Sequence, residues 1–146
     1  NINKYYLNKY NINVQNNIYI PESIIDFFAI LINTYIITKL HSNSYELFIT
    51  NLHIEIYFIL KQGSNVLYLS DVNHINKYTN VLSYYIIKGE MFKNIDKILE
   101  IFIKNKKINL NKHNYDKLCL FLKNNDYKIN EGNNDYNTLR MSIIHL

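Results

Sequence analysis

The sequence predicts an all-α protein, and three observations support this fold class. Large apolar residues recur at three- and four-residue spacing in six runs after Pro21, capping residues separate these runs, and the links between them are short. An amphipathic helix buries its apolar face on the next helix. We therefore expect six or seven antiparallel helices in a repeat stack over residues 21–146, preceded by an arm or short helix over residues 1–20.

Composition indicates one domain and an A/T-rich genome. At 146 residues the chain has room for one hydrophobic core. Asparagine and isoleucine each occur 25 times, whereas proline and cysteine each occur once. The abundant residues have A/T-rich codons, so their abundance says little about function. Because isoleucine favours strands and asparagine is a poor helix former, residue spacing is weighted above residue type.

The first long helix is predicted to begin at Pro21, which suits the first turn of a helix, and to end near His41. Its longest uncharged stretch, from Phe27 to Thr38, is shorter than the roughly 20 residues of a membrane span. The helix is therefore expected to belong to the core and not to be an anchor. The apolar residues expected to be buried are Ile24, Ile25, Phe28, Leu31, Ile32, Tyr35 and Ile36.

The second helix has the clearest apolar stripe. Asn43 and Glu46 have the spacing of a capping box, and Gly63 is the predicted end of the helix. A short extended piece is expected at Val66–Leu69. The stripe consists of Tyr45, Phe48, Ile49, Leu52, Ile56, Ile59 and Leu60.

The remaining runs predict four further helices. The third, Ile75–Ile86, is expected to be capped by Gly89, and the fourth, Phe92–Phe102, to fold back on it. Asn111 or Asn114 is expected to cap the fifth. The last run carries Tyr136, Leu139, Ile143 and Ile144.

No motif for catalysis, metal binding or phosphate binding is found. The histidines lie far apart, and the glycines at positions 63, 89 and 132 are single. Cys119 lies in an apolar stripe, which is typical of an inert core thiol in a reducing compartment. We predict no enzyme, no cofactor and no small-molecule substrate. The histidines are His41, His53, His74, His113 and His145.

Charged and aromatic residues indicate the kind of partner that the chain would bind. The net charge is +4, and the densest cationic run follows an apolar stripe, so it is expected to decorate a helix C-terminus and not to bind nucleic acid. Tyr57 and Tyr84 fall outside the stripes and are expected to line a groove for a partner. The cationic run consists of Lys104, Lys106, Lys107 and Lys112.

Two spaced motifs stand out in the predicted helices. The first lies in the helix Ser44–Phe58, and the second follows a helical hairpin. The motif residues are Tyr45, Phe48, Leu52, Leu118, Phe121, Leu122 and Tyr127. From about Ile25 to Leu146 the chain resembles the family of the proteasome lid's small PCI-domain subunit, the twelfth non-ATPase subunit of the regulatory particle. The resemblance implies a non-catalytic structural subunit of the lid, contacting other lid and base subunits in the cytoplasm and nucleus.

Departures from the family leave two alternatives open. The aromatic pair Tyr57 and Phe58 stands one residue later than in the family, and the family's winged-helix half would follow Leu146. The same superfamily includes subunit k of translation initiation factor three and the mRNA-export scaffold. A viral ankyrin-like or helical host-interaction protein is the other alternative, because residues 80–110 can be laid over an ankyrin helix pair, although no second copy of the roughly 33-residue unit is found.

Overall fold

The chain is predominantly α-helical in the computed structural model, which describes residues 1–11, 18–71 and 82–130. A π-helical segment, Leu82–Ile87, runs directly into the fourth α-helix. An antiparallel hairpin of β1, Ile103–Lys104, and β2, Lys107–Ile108, joins the fifth helix to the sixth. The α-helices are α1 Ile2–Lys9, α2 Ile20–His41, α3 Tyr45–Asp71, α4 Lys88–Lys93, α5 Ile95–Phe102 and α6 Lys112–Asn124.

The described helices differ in length, from 6 residues in α4 to 27 in α3. A regular repeat stack, as expected from the sequence, would have helices of more similar length. The predicted last helix and the first part of the third run, including Ile75 and Tyr78, lie outside the described residues.

Helix α2 begins and ends where the sequence predicts. Pro21 lies in its first turn, where backbone N–H groups have no partner within the helix, so the lack of an N–H in proline costs no hydrogen bond. Glu22 lies in the first turn, and Lys39 and His41 lie in the last, so these side chains complement the helix dipole. The predicted bounds of this helix are confirmed to within one residue, since it begins at Ile20.

The predicted cap and end of the second long helix are both wrong. Ser44 caps α3, because its hydroxyl accepts a hydrogen bond from the Leu47 N–H at 3.1 Å, so Asn43 and Glu46 do not form a capping box. The helix also continues through Gly63 to Asp71. Residues 66–69, predicted to be extended, are therefore helical.

Gly63 and Gly89 mark a close approach of chain segments and not helix ends. A β-carbon at Gly89, inside α4, would lie 2.7 Å from Cδ1 of Ile129, and one at Gly63 would lie 3.1 Å from the same atom. A β-carbon at Gly63 would also lie 3.3 Å from the carbonyl oxygen of Tyr85. The predicted cap at Gly89 is wrong, because the helix ends at Lys93 and Asn94 is its C-cap. Both glycines therefore make room for the buried Ile129 side chain.

Replacing Gly89 with alanine is expected to lower the free energy of unfolding by about 1 to 2 kcal/mol, because the added methyl group overpacks against Ile129. In an Ile129→Val background, which removes Cδ1, the same change should be neutral or stabilising, since alanine is the better helix former by about 1 kcal/mol. Urea denaturation of the four proteins measures this coupling. An equal cost of Gly89→Ala in both backgrounds would contradict it.

One hydrophobic core joins the described helices. The Phe27 ring of α2 packs on Phe92 of α4 with centroids 4.5 Å apart, and α6 contributes the fully buried Leu118 and Leu122. Helix α1 belongs to the same core through Tyr6, which is 2% exposed. Helix α1 therefore packs on the core that α2, α4 and α6 share.

The face of α2 that enters the core matches the predicted face only in part, since Ile24 and Phe28 are buried as predicted. Phe27, Ile30, Thr34 and Thr38 are among its buried residues. Four α2 residues that were predicted to be buried are 42–64% exposed, so their assignment to the core is wrong. The assignment is also wrong for Tyr45 of α3, which is 74% exposed. The exposed α2 residues assigned to the core are Ile25, Ile32, Tyr35 and Ile36.

The cationic run after α5 forms the hairpin and does not decorate a helix C-terminus as predicted. Lys104 and Lys107 are paired residues in β1 and β2. Asn105 and Lys106 connect them with φ of 52° and 61°, which is the pattern of a type I′ turn. Lys112 lies at the start of α6, one residue after its cap. The Asn111 side chain accepts a hydrogen bond from the Asn114 N–H at 2.9 Å, which confirms the predicted Asn111 cap.

Substituting Lys106 with glycine is expected to raise the free energy of unfolding by about 0.5 to 1 kcal/mol. A left-handed conformation costs a residue with a β-carbon roughly 1 to 2 kcal/mol, and the larger unfolded-state entropy of glycine offsets part of the gain. Lys107→Gly is the matched control, since it places glycine in β2 and should destabilise. Thermal unfolding of both variants tests the sign, and a destabilised Lys106→Gly protein would argue against this turn.

Candidate interaction surface

Helix α2 carries a continuous apolar stripe on its outer face. The members recur every three or four residues and are all exposed, and the exposure of the isoleucine and leucine side chains ranges from 42% for Ile36 to 75% for Leu40. Residues at this spacing lie on one side of a helix. The stripe consists of Pro21, Ile25, Ala29, Ile32, Ile36 and Leu40.

Helix α3 exposes a second, shorter apolar row. Leu47, Ile54 and Tyr57 are 37%, 47% and 69% exposed. The two helices pack on each other, since the Tyr35 ring lies edge-on against Phe48 with centroids 5.8 Å apart. The two exposed faces therefore belong to one helical hairpin.

The sequence-predicted site residues fall in different environments. Tyr57 lies on the exposed row of α3, whereas Tyr84 is half-buried in the π-helical segment and hydrogen bonds to Glu22 of α2. Of the motif residues, Leu52, Leu118 and Leu122 are buried, while Phe48, Phe121 and Tyr127 are partly buried against the core. Tyr45 lies outside the core.

Glu90 of α4 is a fully buried carboxylate that holds α1 in place. It accepts hydrogen bonds from the hydroxyls of Tyr6, at 2.9 Å, and Tyr10, at 2.5 Å. Lys9 forms a salt bridge with it at 2.9 Å. The Tyr10 hydroxyl also accepts from the N–H of Ile129 at 2.9 Å. Burial raises the pKa of Glu90, while the bonds from Tyr10 and Lys9 oppose this shift.

Lys88, two residues before Glu90, forms a second buried charge cluster. Its ammonium lies 2.6 Å from the Asp26 carboxylate of α2, and its side chain is fully buried. Glu55 of α3 is also fully buried and attracts Lys88 electrostatically. Burial lowers the pKa of Lys88, and the Asp26 carboxylate opposes this shift. Neither cluster was expected from the sequence, because a charge pattern along the chain does not show which charges meet in the fold.

The Tyr10 phenol predicts a loss of stability at alkaline pH. Burial raises its pKa above the ordinary value of 10.0, so above pH 10 the unfolded chain loses a proton that the folded chain retains. The free energy of unfolding should therefore fall with rising pH, by about 1.4 kcal/mol per pH unit for this one group. Tyr10→Phe removes that proton and should show a shallower slope in denaturation at pH 10 to 12. Equal slopes would contradict the expectation.

Reactive groups in the described ranges are dispersed. No group of three or more histidine, cysteine, aspartate or glutamate side chains in this part of the chain is arranged to hold a metal ion. His41, His53 and His113 are exposed, and His74 and His145 lie outside the described residues. Burial raises the pKa of the half-buried Cys119 thiol, which disfavours its reactive thiolate form.

By length and composition, α2 is the one described helix that could cross a membrane, a criterion that a core helix of a globular protein also meets. No protein-family model matches the chain, and no curated protein or solved structure matches it significantly. The functional argument therefore depends on what the described residues bury and expose.

Proposed function

We propose that this chain is a non-catalytic interaction subunit that binds other proteins through the outer faces of α2 and α3. The exposed apolar rows of these two helices carry the proposal, because apolar side chains gathered on the surface of one helical hairpin are typical of an interaction site. The buried charges at Glu90 and Lys88 serve the fold and have no access to solvent.

Within this class we propose a structural subunit of the proteasome regulatory particle lid. The support is the pair of spaced motifs and the helical architecture that contains them. Leu118 and Leu122 of the second motif are fully buried, and Phe121 packs beside them against the core, as expected for packing positions. The PCI-type repeat stack belongs to this proposal. Subunits of initiation factor three and of the mRNA-export scaffold are the alternatives within the superfamily.

Affinity purification of the tagged chain from its own cells tests the assignment. Recovery of lid and base subunits would support it, whereas recovery of ribosomal proteins or export factors would reject it. Tyr57→Asp should reduce the recovery at least tenfold, because it places a charge in the exposed row of α3. Leu120→Asp is the matched control, since Leu120 is 62% exposed on α6, and it should leave recovery unchanged.

A second candidate is an ankyrin-like interaction protein, and the hairpin between α5 and α6 favours it. An ankyrin unit combines a β-turn with two helices, and here the turn at Asn105 and Lys106 separates α5 from α6. A protein of this class would act on a single target. Purification of one stoichiometric partner, without proteasome, ribosome or export subunits, would favour this candidate over the lid assignment.

A further inference from the structure

The exposed stripe of α2 is symmetric about the middle of the helix. Helix α2 runs from residue 20 to residue 41, so its midpoint falls between Ile30 and Leu31. Stripe residues occupy matching positions on the two sides of this point. The matching pairs are Pro21 with Leu40, Ile25 with Ile36, and Ala29 with Ile32.

This symmetry fits an antiparallel contact between two copies of α2. A twofold axis through the midpoint would place Ile25 of one copy against Ile36 of the other, twice in the same interface. The stripe spans 20 residues, or about 30 Å at 1.5 Å per residue. Ala29 lies beside the axis, where a small side chain lets the two helices approach closely.

The charges near the ends of α2 follow the same symmetry. Glu22 in the first turn and Lys39 in the last turn are equally distant from the midpoint. Antiparallel packing therefore places the acidic first turn of one copy beside the basic last turn of the other, and it also opposes the two helix dipoles. A parallel pair would instead bring like charges together, so the charge pattern favours the antiparallel orientation.

The two faces of α2 differ in polarity in a way that favours burial of the outer face. The inner face carries Thr34 and Thr38, which are 1% and 3% exposed. Their hydroxyls donate hydrogen bonds to carbonyl oxygens of α2 itself. The outer face presents Ile32 and Ile36 at the same level. A surface helix ordinarily has the opposite arrangement, with its polar residues outside.

We propose that the outer face of α2 binds a second copy of this chain, α2 antiparallel to α2, to form a homodimer. In this dimer the α2–α3 hairpins of the two copies form a four-helix arrangement, with the α2 helices in the middle. The exposed Tyr57 row of α3 lies on a different helix from the dimer contact. The homodimer therefore rests on the proposed interaction function: it assigns the α2 part of that surface to a second copy and leaves the α3 row to other proteins.

Light scattering of the purified chain measures its molecular mass and so tests whether it is a dimer. The full chain should have twice the monomer mass of 17.5 kDa, and dilution should reveal one monomer–dimer equilibrium. Ile36→Glu should raise the dissociation constant at least 100-fold, because it places two charges in one interface. Leu120→Glu on α6 is the control with a similarly exposed side chain and should change it less than threefold. Circular dichroism checks that both variants remain helical.

Cysteine cross-linking tests the orientation. In a Cys119→Ser background, Ile25→Cys and Ile36→Cys lie 11 residues apart in one helix, about 16 Å, which is too far for a disulfide within one chain. Mild oxidation of this double variant should give a covalent dimer, while Ile25→Cys alone should remain monomeric on a denaturing gel. A dimer formed by the single variant would indicate a parallel pair and overturn the proposed orientation.

A wild-type chain that stays monomeric at its highest soluble concentration would overturn the homodimer. Sedimentation of that monomer with phosphatidylcholine vesicles would assign the stripe to a lipid surface instead. Neither result bears on the partner recovery that depends on Tyr57, so failure of the homodimer and failure of the interaction function are distinguishable.

Discussion

Glu90→Met is expected to lower the free energy of unfolding by about 3 to 5 kcal/mol, because it removes one partner of a buried ion pair. Methionine preserves most of the side-chain volume, so the loss measures the polar contacts and not a cavity. The Tyr6 and Tyr10 hydroxyls would lose their buried acceptor, and Lys9, 10% exposed, would lose its counter-ion. Guanidinium denaturation of the variant and the wild type measures the difference.

Two further variants define the origin of this loss. Glu100 of α5 pairs with Lys97, but both side chains are more than half exposed, so Glu100→Met should cost less than about 1 kcal/mol. Glu90→Gln keeps an acceptor for the two phenols and should retain more stability than Glu90→Met. If Glu90→Met and Glu100→Met lowered the free energy of unfolding by a similar, small amount, the buried cluster would not stabilise the packing of α1.

Lys88→Met should be of similar severity, with a loss of about 3 to 5 kcal/mol. The substitution leaves the Asp26 and Glu55 carboxylates in α2 and α3 without the ammonium that compensates their charge. Lys97→Met on the exposed face of α5 serves as the control and should change stability by less than about 1 kcal/mol. The midpoints of thermal and chemical unfolding provide the measurement.

Neutralising the carboxylates should reverse much of the Lys88→Met effect. In a triple variant that adds Asp26→Asn and Glu55→Gln, no uncompensated charge remains, so more than half of the lost stability should return. If the triple variant were less stable than Lys88→Met alone, specific hydrogen bonds rather than charge would dominate this cluster.

Local sequence signals predicted the elements whose boundaries depend on nearby residues. Pro21 predicted the start of α2, and Asn111 predicted the cap of α6, because both act on backbone groups within one helical turn. The overall helical class also followed from the three- and four-residue spacing of apolar side chains. These features need no knowledge of what the helices pack against.

The features that the sequence did not predict depend on residues far apart in the chain. Gly63 and Gly89 looked like helix ends, yet both lie inside helices because Ile129 packs against them. Helix α2 has apolar residues on both faces, so periodicity alone did not show that Phe27 points inward and Ile32 outward. The exposed stripe could therefore be recognised only from the structure, which shows which face of α2 is buried.

The contact between the Tyr10 hydroxyl and the Ile129 amide has a consequence for synthesis in the cell. The two residues are 119 positions apart, and Glu90, the other partner of Tyr10, is 80 positions away. Helix α1 leaves the ribosome before the other described helices, but its anchoring partners are translated 80 to 119 residues later. During translation its tyrosines are exposed to chaperones until the chain has grown past α6, so α1 is expected to dock as a late step.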